Sequence, residues 1–434
     1  MKTKILAVLA AVMASFGWRA YAQTYDTNNE VVQTFAGSGF SGYVDGVGQL
    51  TMFNNPNAIV ADSHSNLFVW DSGNYRIRKI APDGTVTTFA GGGSQTTGVG
   101  TNVNLGSSGG IFNITGLAID RNNNLWLPTT GSSGFGGTGL YEITSGAVVT
   151  KTNYLGPVQF SGICADSLGN IYLSDGNGER IYQLQTNGFF GVFAGSGNGG
   201  YVDGNGIFTA FASPAALACD EANNIYVWDS GNSLIRRIDK SQNVTTFAGK
   251  YKSINVNADG VGTNASFGYI YQMCSDNVGN LYLACGAGRN TVGGEYPGSC
   301  IRKVTATTNV MTMAGSFKQT GYTNGAGNLA SFNGTDGVCI SGGTIFVADA
   351  GNQRIRQITF NPQPQVVTGA NLGIGTFTGV TITGIVGRTY QIQSSPNMAA
   401  WTTGATVLLT SSPYLWIDQT PIAGNKFYQA LLLP

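Results

Sequence analysis

Apolar residues in this chain come in short runs behind polar turns. The runs are LFVWD from Leu67, LWLPT from Leu125, IYLSD from Ile171, IYVWD from Ile225, LYLAC from Leu281 and IFVAD from Ile345. The turns ahead of them, at 62–66, 120–124, 166–170, 220–224, 276–280 and 341–344, are built from Asp, Asn, Ser and Gly, the residues that tolerate tight hairpins. Consecutive rather than alternating apolar positions predict strands covered on both faces. One position is aromatic in all six runs: Phe68, Trp126, Tyr172, Tyr226, Tyr282 and Phe346.

A longer phrase repeats around these strands. It reads VWDSGNYRIRKI from Val69, VWDSGNSLIRRI from Val227 and VADAGNQRIRQI from Val347, and VTTFAG follows from Val86 and Val244. A self-similar unit of this kind sets the architecture. Six hairpin-rich units with doubly covered strands predict an all-β chain, a six-bladed β-propeller. The sixth unit ends after Ile355–Phe360 without its own VTTFAG strand, while VVQTFAG stands alone at 31–37. That N-terminal strand is expected to complete the sixth blade and remove an exposed edge.

The V-x-D-x-G-N-x-x-I-R phrase, the preceding D-G-x-G-x-x-x-x-F-x-x-P and the trailing T-x-A-G resemble NHL repeats over about residues 31–360. The D-G-x-G element starts at Asp45, Asp203 and Asp259, with Asn324-Gly-Ala-Gly as a variant. The second repeat departs by carrying Thr129 and Gly139 in place of Asp and Arg, and the third lacks the D-G-x-G loop. The resemblance implies the propeller but not one activity, since such folds host unrelated functions. Related propeller lyases of the peptide-amidating type hold zinc with several histidines; the one histidine here, His64, matches none of those positions and lies in a polar turn.

The ends of the chain differ from the repeats. Lys2 and Lys4, an apolar run from Ile5 to Trp18 and the small-x-small site Ala20-Tyr21-Ala22 read as a signal peptide over 1–22. The product is expected to be secreted, periplasmic or at the cell surface, and not membrane-spanning. After the propeller at 23–360, a linker at 361–368 (Asn361-Pro-Gln-Pro-Gln365) leads to short alternating runs that predict a small C-terminal β-sandwich at 369–434. That module is similar to the small β modules ending secreted bacterial repeat proteins. Charge adds one exclusion: 22 basic residues balance 22 acidic ones, without the positive field that nucleic acid requires.

Candidate chemistry is sparse. Asp71 with Arg76, Asp175 with Arg180 and Asp349 with Arg354 face each other across hairpins, and their recurrence marks them as structural pairs. In the fifth repeat Cys285 and Cys300 take these two places around an insertion, which predicts a disulfide. Cys164, Cys219, Cys274 and Cys339, in the strands before the turns, read as buried thiols. Asp45, Asp203 and Asp259 are a weak calcium alternative, because such a site gathers about six to eight oxygens and no cluster is visible. No cofactor is otherwise expected. Trp70 and Trp228, in opposite blades, and Tyr296, in the inserted loop, are candidate ligand contacts. The functional expectation is a non-enzymatic binding or scaffold protein for a protein or glycan ligand. The alternative is a metal-dependent hydrolase or lyase in the central channel.

Overall fold

The computed structural model describes residues 30–106, 113–114, 116–130, 139–152, 158–253, 257–286, 298–360, 378–382, 388–396, 399–408, 414–418 and 427–432. Residues 1–22, read above as a signal peptide, the expected linker at 361–368 and Tyr296 lie outside them. The chain divides into Met1–Phe360 and Asn361–Pro434. Among the described residues no helix is long and apolar enough to cross a membrane.

The described residues of the first unit are all-β, in six antiparallel sheets, a fold of the propeller type. The first sheet takes Pro56–Ala61, Leu67–Asp71, Arg76–Ile80 and Thr85–Gly91 in order. The third takes Phe160–Ala165, Ile171–Asp175, Arg180–Leu184 and Phe190–Ala194, and the fourth Pro214–Cys219, Ile225–Asp229, Leu234–Ile238 and Asn243–Ala248. The fifth takes Tyr269–Ser275, Leu281–Gly286, Ser299–Val304 and Asn309–Ser316. The second is irregular: both Asn113–Ile114 and Ala118–Ile119 pair with Leu125–Thr130. In the last sheet the outer strand is Glu30–Ala36, which pairs antiparallel with Arg354–Phe360 in a register that sets Val32 against Ile358. The two ends of this unit therefore share one sheet.

Turn residues explain the hairpins. The fourth residue of each Asp-led turn is left-handed: Ser65, Asn123, Gly169, Asn223 and Gly279 have φ of 63, 62, 92, 61 and 82°. Gly and Asn fit that region with least strain. The leading Asp seals the turn. Asp166 accepts from the backbone N–H groups of Leu168 and Asn170 through Oδ1, and from Asn170 Nδ2 and the Tyr172 hydroxyl through Oδ2.

The core lies between sheets, one layer for each neighbouring pair. Trp228, Ile235, Phe267, Leu281 and Leu283 fill the space between the fourth and fifth sheets, and Phe68, Trp70, Leu105, Leu125 and Leu127 that between the first and second. Apolar side chains on both faces of each strand are thus buried against two different neighbours.

The second unit contains the pair Thr378–Ile382 with Tyr414–Asp418, and a three-stranded sheet ordered Thr402–Leu408, Thr389–Ser395, Phe427–Leu432. Its core gathers Tyr390, Ile392 and Val407, with Ala405 and Tyr428 packed against them.

Candidate functional site

The first strands of the sheets succeed one another around a central cavity. Pro56–Ala61 meets Ala118–Ile119, which meets Phe160–Ala165, then Pro214–Cys219, Tyr269–Ser275 and Thr335–Ser341, which returns to Pro56–Ala61. Close approach is possible because two of these strands carry glycine. A Cβ on Gly162 would fall 2.3 Å from the Ala215 carbonyl oxygen, and one on Gly337 would fall 2.9 Å from Gln272 Oε1. The cavity holds about 180 Å³ and is walled by aliphatic side chains together with Cys164, Cys219, Cys274 and Cys339.

Gln272 ties three strands of this wall together. Its amide nitrogen donates to the Ile59 carbonyl at 2.9 Å, and its oxygen accepts from the N–H groups of Ile59 and Val338 at 3.2 and 3.3 Å. Burial pushes the thiols of Cys219, Cys274 and Cys339 up, so they are neutral near pH 7. The structure brings these cysteines around one cavity, a convergence not expected from their wide spacing. Among the described residues no group of three or more His, Cys, Asp or Glu is placed to hold a metal ion.

The recurring acids and cations form a second constellation, and here the structure corrects the sequence pairing. Asp71 and Arg76, Asp175 and Arg180, and Asp349 and Arg354 are cross-strand neighbours in register. The guanidinium that meets Asp71 belongs to Arg78, two residues further on, at 3.0 Å, and Asp349 meets Arg356 at 2.8 Å. Side chains two apart on a strand share a face, so Arg78 and Arg356 run inward along the sheet. Arg76 donates to the Asn74 carbonyl, Arg354 to the carbonyls of Asn352 and Ser38, and Arg180 to that of Ser196. Asp175 accepts from the N–H groups of Asn177 and Gly178. The signal was available: Ile-Arg recurs at Arg78, Arg236, Arg302 and Arg356, whereas the Arg76 position is Leu234 in the fourth repeat and Cys300 in the fifth.

Each of these four arginines is fully buried and uses both terminal nitrogens. Arg78 Nη1 donates to Asp71 Oδ2 and, at 2.9 Å, the Met52 carbonyl; Nη2 donates to Asp45 Oδ1 at 2.6 Å and the Val44 carbonyl. Arg236 repeats this with Asp229 and Asp203. The rings of Tyr43 and Phe53 lie 4.9 and 5.1 Å from the Arg78 guanidinium, and those of Tyr201 and Phe211 at 5.0 and 5.3 Å from that of Arg236. Sequence reading missed these tyrosines. Burial raises the carboxyls of Asp71, Asp229 and Asp349 above the usual range, against the pull of Asn74, Asn232 and Asn352, backbone N–H groups and the arginines.

The remaining candidates follow from this geometry. Asp45, Asp203 and Asp259 lie at three different sheets. Each serves a buried arginine of its own sheet and accepts the N–H of an outer-strand threonine: Thr88, Thr246 and Thr312. Trp70 and Trp228 are not ligand contacts; each is 2% exposed and fills space between neighbouring sheets, with Trp228 edge-on to Phe267 at 5.9 Å. Cys285 and Cys300 are opposed in register and fully buried, with both thiols free in this structure.

Exposed apolar side chains concentrate on connections between sheets. The segment 37–55 presents Phe40, Tyr43, Val44, Val47 and Leu50, with Phe40 at 72% and Leu50 at 81% exposure. Segment 195–213 presents Tyr201, Val202, Ile207 and Phe208, the last at 80%. Equivalent positions in a repeat share a height in the ring, so Leu50, Phe208 and Leu329, each ending a short turn at Gly48–Leu50, Gly206–Phe208 and Gly327–Leu329, lie on the same face.

No protein-family model matches the chain, and no curated protein matches it in sequence. Solved structures share its fold. A protein of unknown function from Bacteroides thetaiotaomicron VPI-5482 is 20% identical with a TM-score of 0.58, over 76% of each chain. An auxiliary nutrient binding protein from the same strain is 17% identical with a TM-score of 0.57, over 77% of each chain. Another, from Bacteroides ovatus ATCC 8483, is 16% identical with a TM-score of 0.57, over 76% of this chain and 77% of its own. At these identities the likeness is one of fold.

Proposed function

We propose that the chain is an exported six-bladed propeller of NHL type, ending in a β-sandwich module, that binds a protein or glycan ligand through the loops joining its blades. The observation that carries this reading is the contrast between spent and unspent side chains. The recurring acids and arginines are committed to fastening their sheets, while large apolar groups stand in solvent at the repeat-related loop positions Leu50, Phe208 and Leu329, and at Phe40. Large apolar side chains left in solvent mark interaction surfaces when they gather on the loops of one rigid scaffold. Two structures sharing the fold are described as auxiliary nutrient binding proteins, and a ligand of that kind suits this face.

Arrays of oligosaccharides and peptides probed with the secreted chain test the reading. A specific binder is expected, with its affinity reduced at least about tenfold by Phe40→Ser with Leu50→Ser, or by Phe208→Ser, at unchanged melting temperature. No binder, or binding indifferent to these variants, rejects it. The competing metal-dependent hydrolase or lyase in the channel is separated by elemental analysis: stoichiometric calcium or zinc in purified protein favours the enzyme.

A further inference from the structure

The D-G-x-G connections protect the rims of the sheets, and the third sheet has no such connection. In five sheets a two-residue strand pairs with the outer strand: Gly46–Val47, Gly98–Val99, Gly204–Asn205, Gly260–Val261 and Gly325–Ala326. In the first, fourth and fifth sheets the aspartate of the same loop then accepts the next outward N–H, from Thr88, Thr246 or Thr312 at 3.2, 3.2 and 2.9 Å. A carboxylate on a sheet edge also repels other strands.

The third sheet has four strands, and among the described residues nothing pairs with the outer side of Phe190–Ala194. The connection ahead of it is residues 153–159, whereas residues 37–55, 195–213, 249–268 and 317–334 make the same crossing ahead of other sheets. Seven residues reach about 25 Å at full extension.

This edge also exposes apolar side chains. Phe189 is 61% and Val192 40% exposed, and the Phe189 ring lies over Gly191, 2.9 Å from where a Cβ there would stand. Phe190 stacks on Tyr182 with centroids 5.2 Å apart. The sequence Phe189-Phe190-Gly191-Val192-Phe193 reads nearly the same in both directions and carries no charge.

We infer that the outer edge of the third sheet pairs antiparallel with the same edge of a second copy of this chain, about a two-fold axis at Gly191. That register sets Phe190 of one copy opposite Val192 of the other, twice, in apolar cross-strand pairs. It satisfies edge N–H and carbonyl groups, and the net-neutral chain opposes no charge to the approach.

Sedimentation velocity of the secreted chain over a range of concentrations tests this. A reversible monomer–dimer equilibrium is expected. Val192→Lys, on an already exposed position, weakens it by about tenfold or more through a charge on the bare edge. Val47→Lys, on the protected rim of the first sheet, leaves it unchanged, and Phe189→Ser weakens it as Val192→Lys does. A monomer at every concentration overturns the inference, as does a dimer indifferent to Val192→Lys or equally sensitive to Val47→Lys.

Discussion

The fourth and fifth sheets are built on the same plan and fastened differently. In the fourth, Arg236 lies between a buried carboxylate, Asp229, and a half-exposed one, Asp203. In the fifth, Arg302 keeps the outer partner, Asp259, at 2.8 Å, and the inner position is Cys285, opposed to Cys300. Nη1 of Arg302 is left with the Ser266 carbonyl at 2.7 Å. The comparison separates two jobs that coincide elsewhere in the ring. One is neutralising a buried guanidinium, which the outer aspartate does alone in the fifth sheet. The other is tying the second and third strands together at their ends, which the cysteine pair can take over.

The largest effect tests whether either fastening matters without ring closure. Removing the N-terminal segment through Gly37 strips the outer strand from Arg354–Phe360 and exposes the core around Val32 and Ala36, both fully buried. Loss of cooperative thermal unfolding is expected. A truncated chain that melts like the full one removes the closing pair from the account.

Within the fourth sheet, Asp229→Ala leaves Arg236 with a single, half-exposed counter-charge. Breaking one side of a buried pair costs about 3–5 kcal/mol. Urea denaturation should show a loss of that size, and Asp229→Asn a smaller one, because the amide still accepts a hydrogen bond. A loss below about 1 kcal/mol for Asp229→Ala would mean that Asp203 suffices, as Asp259 does in the fifth sheet.

Much of this plan was legible in the sequence, and the part that was not has a physical cause. The apolar-turn-apolar unit located the strands because strands covered on both faces leave an uninterrupted apolar run, as Leu67–Asp71 and Ile225–Asp229 do. The isolated VVQTFAG strand located the closure because a missing outer strand and a spare one have the same sequence. Side-chain direction was harder to read. Opposed positions suggested Asp71 with Arg76, but Arg76 and Arg78 share that face: the buried Arg78 meets the carboxylate, while Arg76 turns to the Asn74 carbonyl. For Trp70 and Trp228 the sequence left both ligand contact and packing between blades open, and burial between sheets fits the packing. The convergence of Cys164, Cys219, Cys274 and Cys339 needed the ring itself, because residues a whole blade apart carry no local spacing to read.

The cysteine pair sharpens the comparison next. Opposed residues in an antiparallel pair have Cα atoms about 4.5–5.5 Å apart, within range of a disulfide. Oxidation to a Cys285–Cys300 bridge would close the 286–299 insertion and stabilise the sheet by about 3 kcal/mol. Mass spectrometry of an unreduced digest of secreted protein should find the two peptides joined, and reduction should lower the melting temperature. Two alkylatable thiols in the unreduced protein would leave this end of the fifth sheet to Arg302 and Asp259.

The outer aspartates then distinguish the two arrangements directly. Asp203→Asn leaves Arg236 its buried partner and should cost about 1 kcal/mol, whereas Asp259→Asn deprives Arg302 of its carboxylate and should cost about 2–3 kcal/mol. Equal losses in urea denaturation would show that the buried aspartate contributes little to neutralising the arginine.

The smallest expected effect lies beside Arg302. Lys303 is 2% exposed, and its ammonium lies 5.5 Å from the Tyr282 ring centroid. Burial brings its pKa down to about 8, while Asp276 and Glu30 pull the other way. A base depressed on folding is neutral in the native state while still charged in the unfolded one. Between the folded pKa near 8 and the ordinary lysine value near 10.4, the unfolded chain therefore holds the extra proton, and stability rises with pH across that window. Below pH 8 both states are protonated and the penalty is constant. Lys303→Met should raise stability near neutral pH by about 1–2 kcal/mol and flatten its rise between pH 8 and 10. No neighbouring sheet places a lysine at the equivalent buried position with such a shift. An unchanged slope in the variant would assign the alkaline rise to other groups and leave Lys303 charged in the fold.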